Sequence, residues 1–305
     1  MHERQVDAGA ALLARAGACG SGSLAVVGVG KNAGKSVVVG ALCTASTLAG
    51  VPFALCSIGR DGEATDAFDG APKPRHFLRA GTLFATALPL VPRSPAAEIV
   101  AVTPEISAIG PLVVARARAA GYVEIVGPPR ASSLRRLVET LAARARFVLI
   151  DGAIDRIAAL RGGDDAIVVA VGAANAPTLA RAVEAAAALT ERLALAAVDP
   201  SRPYIDVAGA LTPSAATAFA RAGERRQIVV ADATHVAFGG RAYLDVAARL
   251  DLRCRRPMQP VACTVAPFAA ERSFEPRAFA RAVAERTALP TYDVFAGRAY
   301  GVDPL

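Results

Sequence analysis

Residues 28–36 read G-V-G-K-N-A-G-K-S, between the apolar runs Leu24-Ala25-Val26-Val27 and Val37-Val38-Val39-Gly40-Ala41-Leu42. Strand, glycine-rich turn and helix in that order fix much of what this chain can become. Glycines let consecutive backbone N–H groups turn inward, and the helix N-terminus beyond them adds a partial positive charge, so the segment suits an oxyanion. Lys35 can reach phosphate oxygens, and the neighbouring Ser36 hydroxyl can ligate Mg²⁺. Of 34 lysines and arginines in the chain only three are lysines, Lys31, Lys35 and Lys73, and two of those lie in this turn. A compact ammonium fits a phosphate cradle where a planar guanidinium does not. The expected phosphate-contacting set is Gly30, Lys31, Asn32, Ala33, Gly34, Lys35, Ser36 and Val37. The strict G-x-x-x-x-G-K-[ST] spacing would place a glycine at Val29; here Gly28 and Gly30 flank it.

The bulk numbers set bounds. With 53% hydrophobic and 20% charged residues over 305 positions, the chain can bury a large core and is far from a disordered composition. Its net charge of +7 is spread along the sequence in small arginine clusters without interleaved aromatics, so nucleic acid is not an expected partner. Five cysteines without a C-x-x-C pair, and three scattered histidines, argue against a zinc or disulfide framework. Residues 36–59 are uncharged, but Gly50-Val51-Pro52 divides them into helix, turn and strand, so no membrane span is expected. The first residues carry Glu3 and Asp7 and lack the continuous apolar core of a secretory signal, and the cysteine usage fits a reducing cytoplasm, the expected location.

Along the chain, a short helix (8–16) and a Gly/Ser linker occupy residues 1–23. A nucleotide-binding domain is expected over 24–200: strand 24–29, the loop, helix 36–49, strand 52–58, an irregular β-rich stretch 76–127, helix 131–145, strand 147–151, strand 166–171, helix 178–192 and a strand near 193–198. The breaker Asp199-Pro200-Ser201-Arg202-Pro203 marks a boundary. Beyond it, a smaller α/β unit (201–305) is expected, with strands near 205–211, 227–232, 260–266 and 291–295 and helices near 213–223, 241–249 and 275–286. Alternation of this kind predicts a mostly parallel sheet with helices on both faces.

Phosphate transfer needs a carboxylate near the metal. Phe147-Val148-Leu149-Ile150-Asp151 has the form of a buried strand ending in one, and in an open parallel sheet that end lies beside the phosphate loop. Asp151 is therefore a candidate Mg²⁺ ligand together with Ser36, with capping of the next helix as the lesser alternative. Ile228-Val229-Val230-Ala231-Asp232 is a weaker rival. The polar segment after strand 52–58 brings Arg60, Asp61 and Glu63 to the same edge. Arg60 is a candidate phosphate clamp, and Asp61 and Glu63 are candidate metal ligands or general bases; a solvated acidic loop accounts for them equally well.

The strand–loop–helix and the Asp151-Gly152-Ala153 strand end resemble the P-loop NTPase class that includes dethiobiotin synthetase, over roughly residues 24–199. The departures are specific. The G-T-D-T start of that family is missing, and Arg60 stands where its second-strand lysine would be. Lys31 lies four residues before Lys35, whereas the signature lysine of the dimerising ATPase branch lies five before. The strings G-K-N-A-G-K-S, S-I-G-R-D-G-E, K-P-R, A-G-T-L-F-A-T-A, D-G-A-I-D-R and L-P-T-Y-D-V-F more closely resemble a P-loop group associated with cobalamin-dependent lysine or ornithine aminomutases. That likeness implies an ATP-dependent accessory or reactivating factor whose client is the aminomutase. The expected function is thus Mg²⁺-dependent ATP binding with γ-phosphate cleavage, with Lys35, Asp151, Asp61 and Glu63 as the catalytic candidates. The alternative is a small-molecule kinase or ATP-dependent ligase of the dethiobiotin synthetase type acting on a small acid. A homodimer is the assembly left open.

Overall fold

The computed structural model describes residues 2–5, 7–58, 75–94, 96–152 and 165–301. The protein is α/β, with a large, mostly parallel sheet and helices. Its residues gather into two compact units, one comprising 7–27 and 35–160, the other 1–6, 28–34 and 161–305. The chain passes between the units on either side of the glycine loop.

In the first unit, helix α1 (Ala8–Ala18) begins at Asp7, whose carboxylate accepts from the Ala10 N–H at 3.0 Å. Strand β2 (Ser23–Gly28) follows and is buried along its whole length, as a strand covered on both faces must be. Helix α2 (Lys35–Leu48) carries the chain to strand β3 (Phe53–Ser57), with Gly50 in a left-handed turn (φ 64°) between them. Strands β4 (His76–Leu78), β5 (Leu83–Ala87), β6 (Ala97–Ser107), β7 (Gly110–Ala117) and β8 (Gly121–Val123) form the β-rich stretch. Helix α3 (Ala131–Ala142) and strand β9 (Phe147–Asp151) follow.

The strand order is β2-β9-β3-β5-β7-β6, parallel from β2 through β5 and antiparallel at β7 and β6. β4 and β8 form a separate antiparallel pair. The stretch that looked irregular is therefore ordered, its regularity hidden by bulges in the β6–β7 register. Leu134, Leu137, Val138 and Leu141 lie at helical spacing on α3 and are buried, and α3 packs on β9, β3 and β6. Buried Glu105 of β6 meets Arg136 of α3 through two hydrogen bonds, Nε at 2.6 Å and an η nitrogen at 3.1 Å.

The second unit holds β1 (His2–Gln5), β10 (Asp165–Gly172), α4 (Leu179–Leu193), β11 (Tyr204–Asp206), α5 (Pro213–Arg221), β12 (Gln227–Val230), α6 (Gly240–Ala247), β13 (Leu252–Cys254), β14 (Gln259–Ala266), α7 (Pro276–Thr287), β15 (Thr291–Asp293) and β16 (Arg298–Gly301). Its main strands run β1-β16-β15-β14-β10, parallel from β10 to β15 and antiparallel at the end. β11, β12 and β13 make a small parallel sheet of their own. Two expected strands shrink here. Near 193–198 there is only a bridge from Ala197 to Cys254, and β11 ends at Asp206, before Gly209 turns left-handed at φ 84°. Among the described residues no helix is long and apolar enough to cross a membrane.

Candidate functional site

The glycine loop is held by the second unit. The Val29 N–H donates to the Ala170 carbonyl of β10 at 3.0 Å, which fixes where the loop leaves its strand. Asn175, three residues past the end of β10, then spans two backbones. Its Nδ2 donates to the Lys31 carbonyl at 2.6 Å, and its Oδ1 accepts from the Gly172 N–H at 2.8 Å. Gly30 lies directly under the Asn175 amide, and a Cβ on Gly172 would fall 2.8 Å from the Asn32 carbonyl and 3.2 Å from Ala33 Cα. Side chains are excluded so that loop and strand end can touch.

The loop's backbone turns left-handed twice. Asn32 (φ 58°) and Gly34 (φ 90°) are left-handed, with Ala33 buried between them. Asparagine and glycine are the residues that tolerate this geometry, and left-handed turns in alternation aim successive N–H groups into one concavity. Lys31 and Asn32 are exposed at the loop's tip. Ser36 and Val37 are exposed on the first turn of α2.

In the first unit, Lys35 opens α2 and is half-buried. Burial lowers its pKa from the ordinary lysine value, and the Asp151 carboxylate, close enough to act on it, pulls the other way. Asp151 ends β9 with Val26 of β2 and Ser57 of β3 as its parallel partners. Its backbone carbonyl accepts from Ser57 Oγ at 3.2 Å and from the Ile58 N–H at 3.1 Å. Its Oδ2 lies 3.1 Å from Nε2 of His76, a buried residue at the start of β4. Gly152 keeps the chain tight here, since a Cβ would come within 2.7 Å of the Val26 carbonyl. Asp151 and burial also act on Cys43 of α2: burial pushes its thiol up to about 12, and the carboxylate charge adds to the effect.

A hydroxyl on Ser36 and a carboxylate on Asp151 are hard oxygen donors of the type Mg²⁺ takes in ones and twos, completing its shell with water and phosphate. Asp151 commits Oδ2 to His76, while Oδ1 has no hydrogen-bond partner among the described residues. The donor chemistry fits that ion. Among the described residues no group of three or more His, Cys, Asp or Glu could form a metal site by itself.

The expected residues thus fall into three sets. The structure brings Lys35 and Asp151 together and gives the loop residues 30–34 a locked shape. Arg60, Asp61 and Glu63 lie outside the described residues. Asp232 has a different occupation: it caps the short 3₁₀ turn Ala233–His235, bonds Thr234 and His235, and pairs with Arg256 at 2.7 Å. Sequence reasoning missed His76 and Asn175. The signal for Asn175 was a short polar residue just after a buried strand, Gly172-Ala173-Ala174-Asn175; for His76 there was none. The chain matches no known family model, no curated protein and no solved structure.

Proposed function

We propose that this protein binds Mg·ATP at residues 30–37 and cleaves its γ-phosphate, serving as an accessory or reactivating factor for another enzyme. The observation that carries the reading is the loop: Asn32 and Gly34 are left-handed, and Asn175 ties the preceding Lys31 carbonyl to the Gly172 N–H at the end of β10. A loop that must close on phosphate gains from being held open in advance, because ordering it then costs little at binding. Lys35 neutralises phosphate charge, and the carboxylate of Asp151 partly opposes the lowering of its pKa by burial. Ser36 and Asp151 would hold Mg²⁺, which when bound stabilises the charge that develops on the transferred group. His76 fixes the direction of the Asp151 carboxylate from the side away from solvent. The client, a cobalamin-dependent aminomutase, enters through the resemblance of residues 28–36 and of the final L-P-T-Y-D-V-F to proteins associated with such enzymes.

Phosphate release from Mg·ATP tests the reading in three arms: the protein alone, with small carboxylic acids, and with an aminomutase of this class. Turnover that is slow alone and stimulated by the aminomutase is the expected outcome. A phosphorylated acid as product moves the assignment to a small-molecule kinase. Absence of turnover in all three arms contradicts the hydrolytic part of the proposal.

A further inference from the structure

The first unit contains a pocket of about 500 Å³ lined by Ser46, Gly50, Phe53, Arg79, Arg116 and Arg144 among others. It opens where β3 and β5 begin, whereas Lys35 and Asp151 belong to the edge where the parallel strands end. The two are joined along α2: from Lys35 to Ser46 the helix rises about 16 Å at 1.5 Å per residue. The pocket is therefore separate from the nucleotide site proposed above, and nothing in that proposal uses it.

Its charge is one-sided. Three arginines line it, and among the described residues no aspartate or glutamate does. Arg144 donates to the Thr140 carbonyl of its own helix at 2.8 Å. The side chains of Arg79 and Arg116 have no hydrogen-bond or ion-pair partner among the described residues. The carboxylate opposite Arg116 in the sheet register is Glu98, and Glu98 is already taken by Arg118 at 3.0 Å. Helices α2 and α3 both end at this pocket. Their C-termini contribute about half a negative charge each, too little to offset three guanidinium groups.

Gly50 and Gly81 leave the pocket's rim open, since a Cβ built on either would meet nothing within 4 Å. The volume suits a small metabolite, and the apolar side chains of Val51, Phe53 and Leu83 give its body a surface to rest on. Arginines presented without partners are the usual receptor for planar or tetrahedral oxyanions.

We propose that this pocket is a second binding site, for a compact polyanion carrying two or more phosphate or carboxylate groups. Arg79 and Arg116 supply the principal ionic contacts, and Arg144 adds charge.

Calorimetry in Mg²⁺-free buffer, with inorganic pyrophosphate and separately with citrate, tests this on the full chain. Lys35→Ala protein is used as the reference so that binding at the nucleotide loop does not contribute. At least one of the two anions should bind the reference protein. In that background Arg79→Gln, an exposed change that leaves the core untouched, should lower the affinity several-fold, and Arg79→Gln/Arg116→Gln at least about tenfold, as loss of charge-assisted hydrogen bonds implies. Binding of citrate alone identifies a polycarboxylate, and binding of pyrophosphate alone a phosphate compound. If neither anion binds the reference protein, or if Arg79→Gln leaves the affinity unchanged, the site does not exist.

Discussion

His76 Nε2 and Asp151 Oδ2 stand 3.1 Å apart, joining the first residue of β4 to the last of β9, 75 positions along the chain. The histidine is buried and the carboxylate is reachable from solvent, so the pair has a fixed inner end and a working outer end. This arrangement repeats the way outer residues orient metal-binding carboxylates. Asp151→Asn should therefore slow Mg·ATP turnover by about a hundredfold or more while weakening nucleotide binding much less, because a metal acts mostly on charge developed during transfer. His76→Asn should cost about 10–100-fold in turnover or in apparent Mg²⁺ affinity, as loss of an orienting partner typically does. Turnover titrated against Mg²⁺ in both variants separates the roles. Wild-type rates in Asp151→Asn would leave it a structural strand end.

The Asn175 clamp carries the second prediction. Asn175→Ala removes two hydrogen bonds, each contributing about 1 kcal/mol net, so the melting temperature should fall by roughly a few degrees and nucleotide affinity by about tenfold or more. Gly172→Ala should be worse for folding, because its Cβ would collide with loop backbone rather than with a movable side chain. Equilibrium binding and thermal melts of the two variants check both statements.

Lys35 gives a dependence on pH. Burial sets its folded pKa below the unfolded value of 10.5, so between the two the unfolded chain binds more protons than the folded one. Stability attributable to this residue therefore rises with pH across that window, while phosphate affinity falls as the ammonium is lost. Nucleotide binding in the same window should take up a proton. Calorimetry in buffers of different ionisation enthalpy measures the uptake, and Lys35→Met should abolish it.

Thiol chemistry reports on the core. Cys19 is exposed; Cys43, Cys56, Cys254 and Cys263 are buried. Burial pushes the Cys43 thiol up to about 12 and those of Cys254 and Cys263 up to about 11, so none of these three forms thiolate near neutral pH. Iodoacetamide at neutral pH should give one adduct, at Cys19, in the native protein and five after denaturation. Further adducts at native Cys43 would mean that α2 does not pack as described.

The elements around the loop were legible in the sequence because their local signals agree with their burial. Ser23–Gly28 is apolar and enclosed, Lys35–Leu48 follows directly on a turn, and Phe147–Asp151 ends in its carboxylate where the sheet edge lies. What could not be read was long-range. β1 and β16 carry ordinary polar sequences and exist because they pair with each other and with β15. The three-residue β13 is defined by its partner β12 more than by its composition. The same holds for the site: Lys35 and Asp151 stand in recognisable motifs, whereas His76 reaches Asp151 only because the β4–β8 pair sets it there.

The central claim is that residues 30–37 bind nucleotide phosphate through Lys35. Titration calorimetry of Mg·ATP into the wild-type chain and into Lys35→Ala, with matched circular-dichroism melts, tests it most directly. Lys35 lies at a helix start and is half-buried, so the variant should fold. The expected result is saturable binding by the wild type and a loss of at least about a hundredfold in affinity in the variant, on the scale of removing a charge-assisted contact to phosphate. Equal affinity in the two folded proteins, or no binding by the wild type, would contradict the claim.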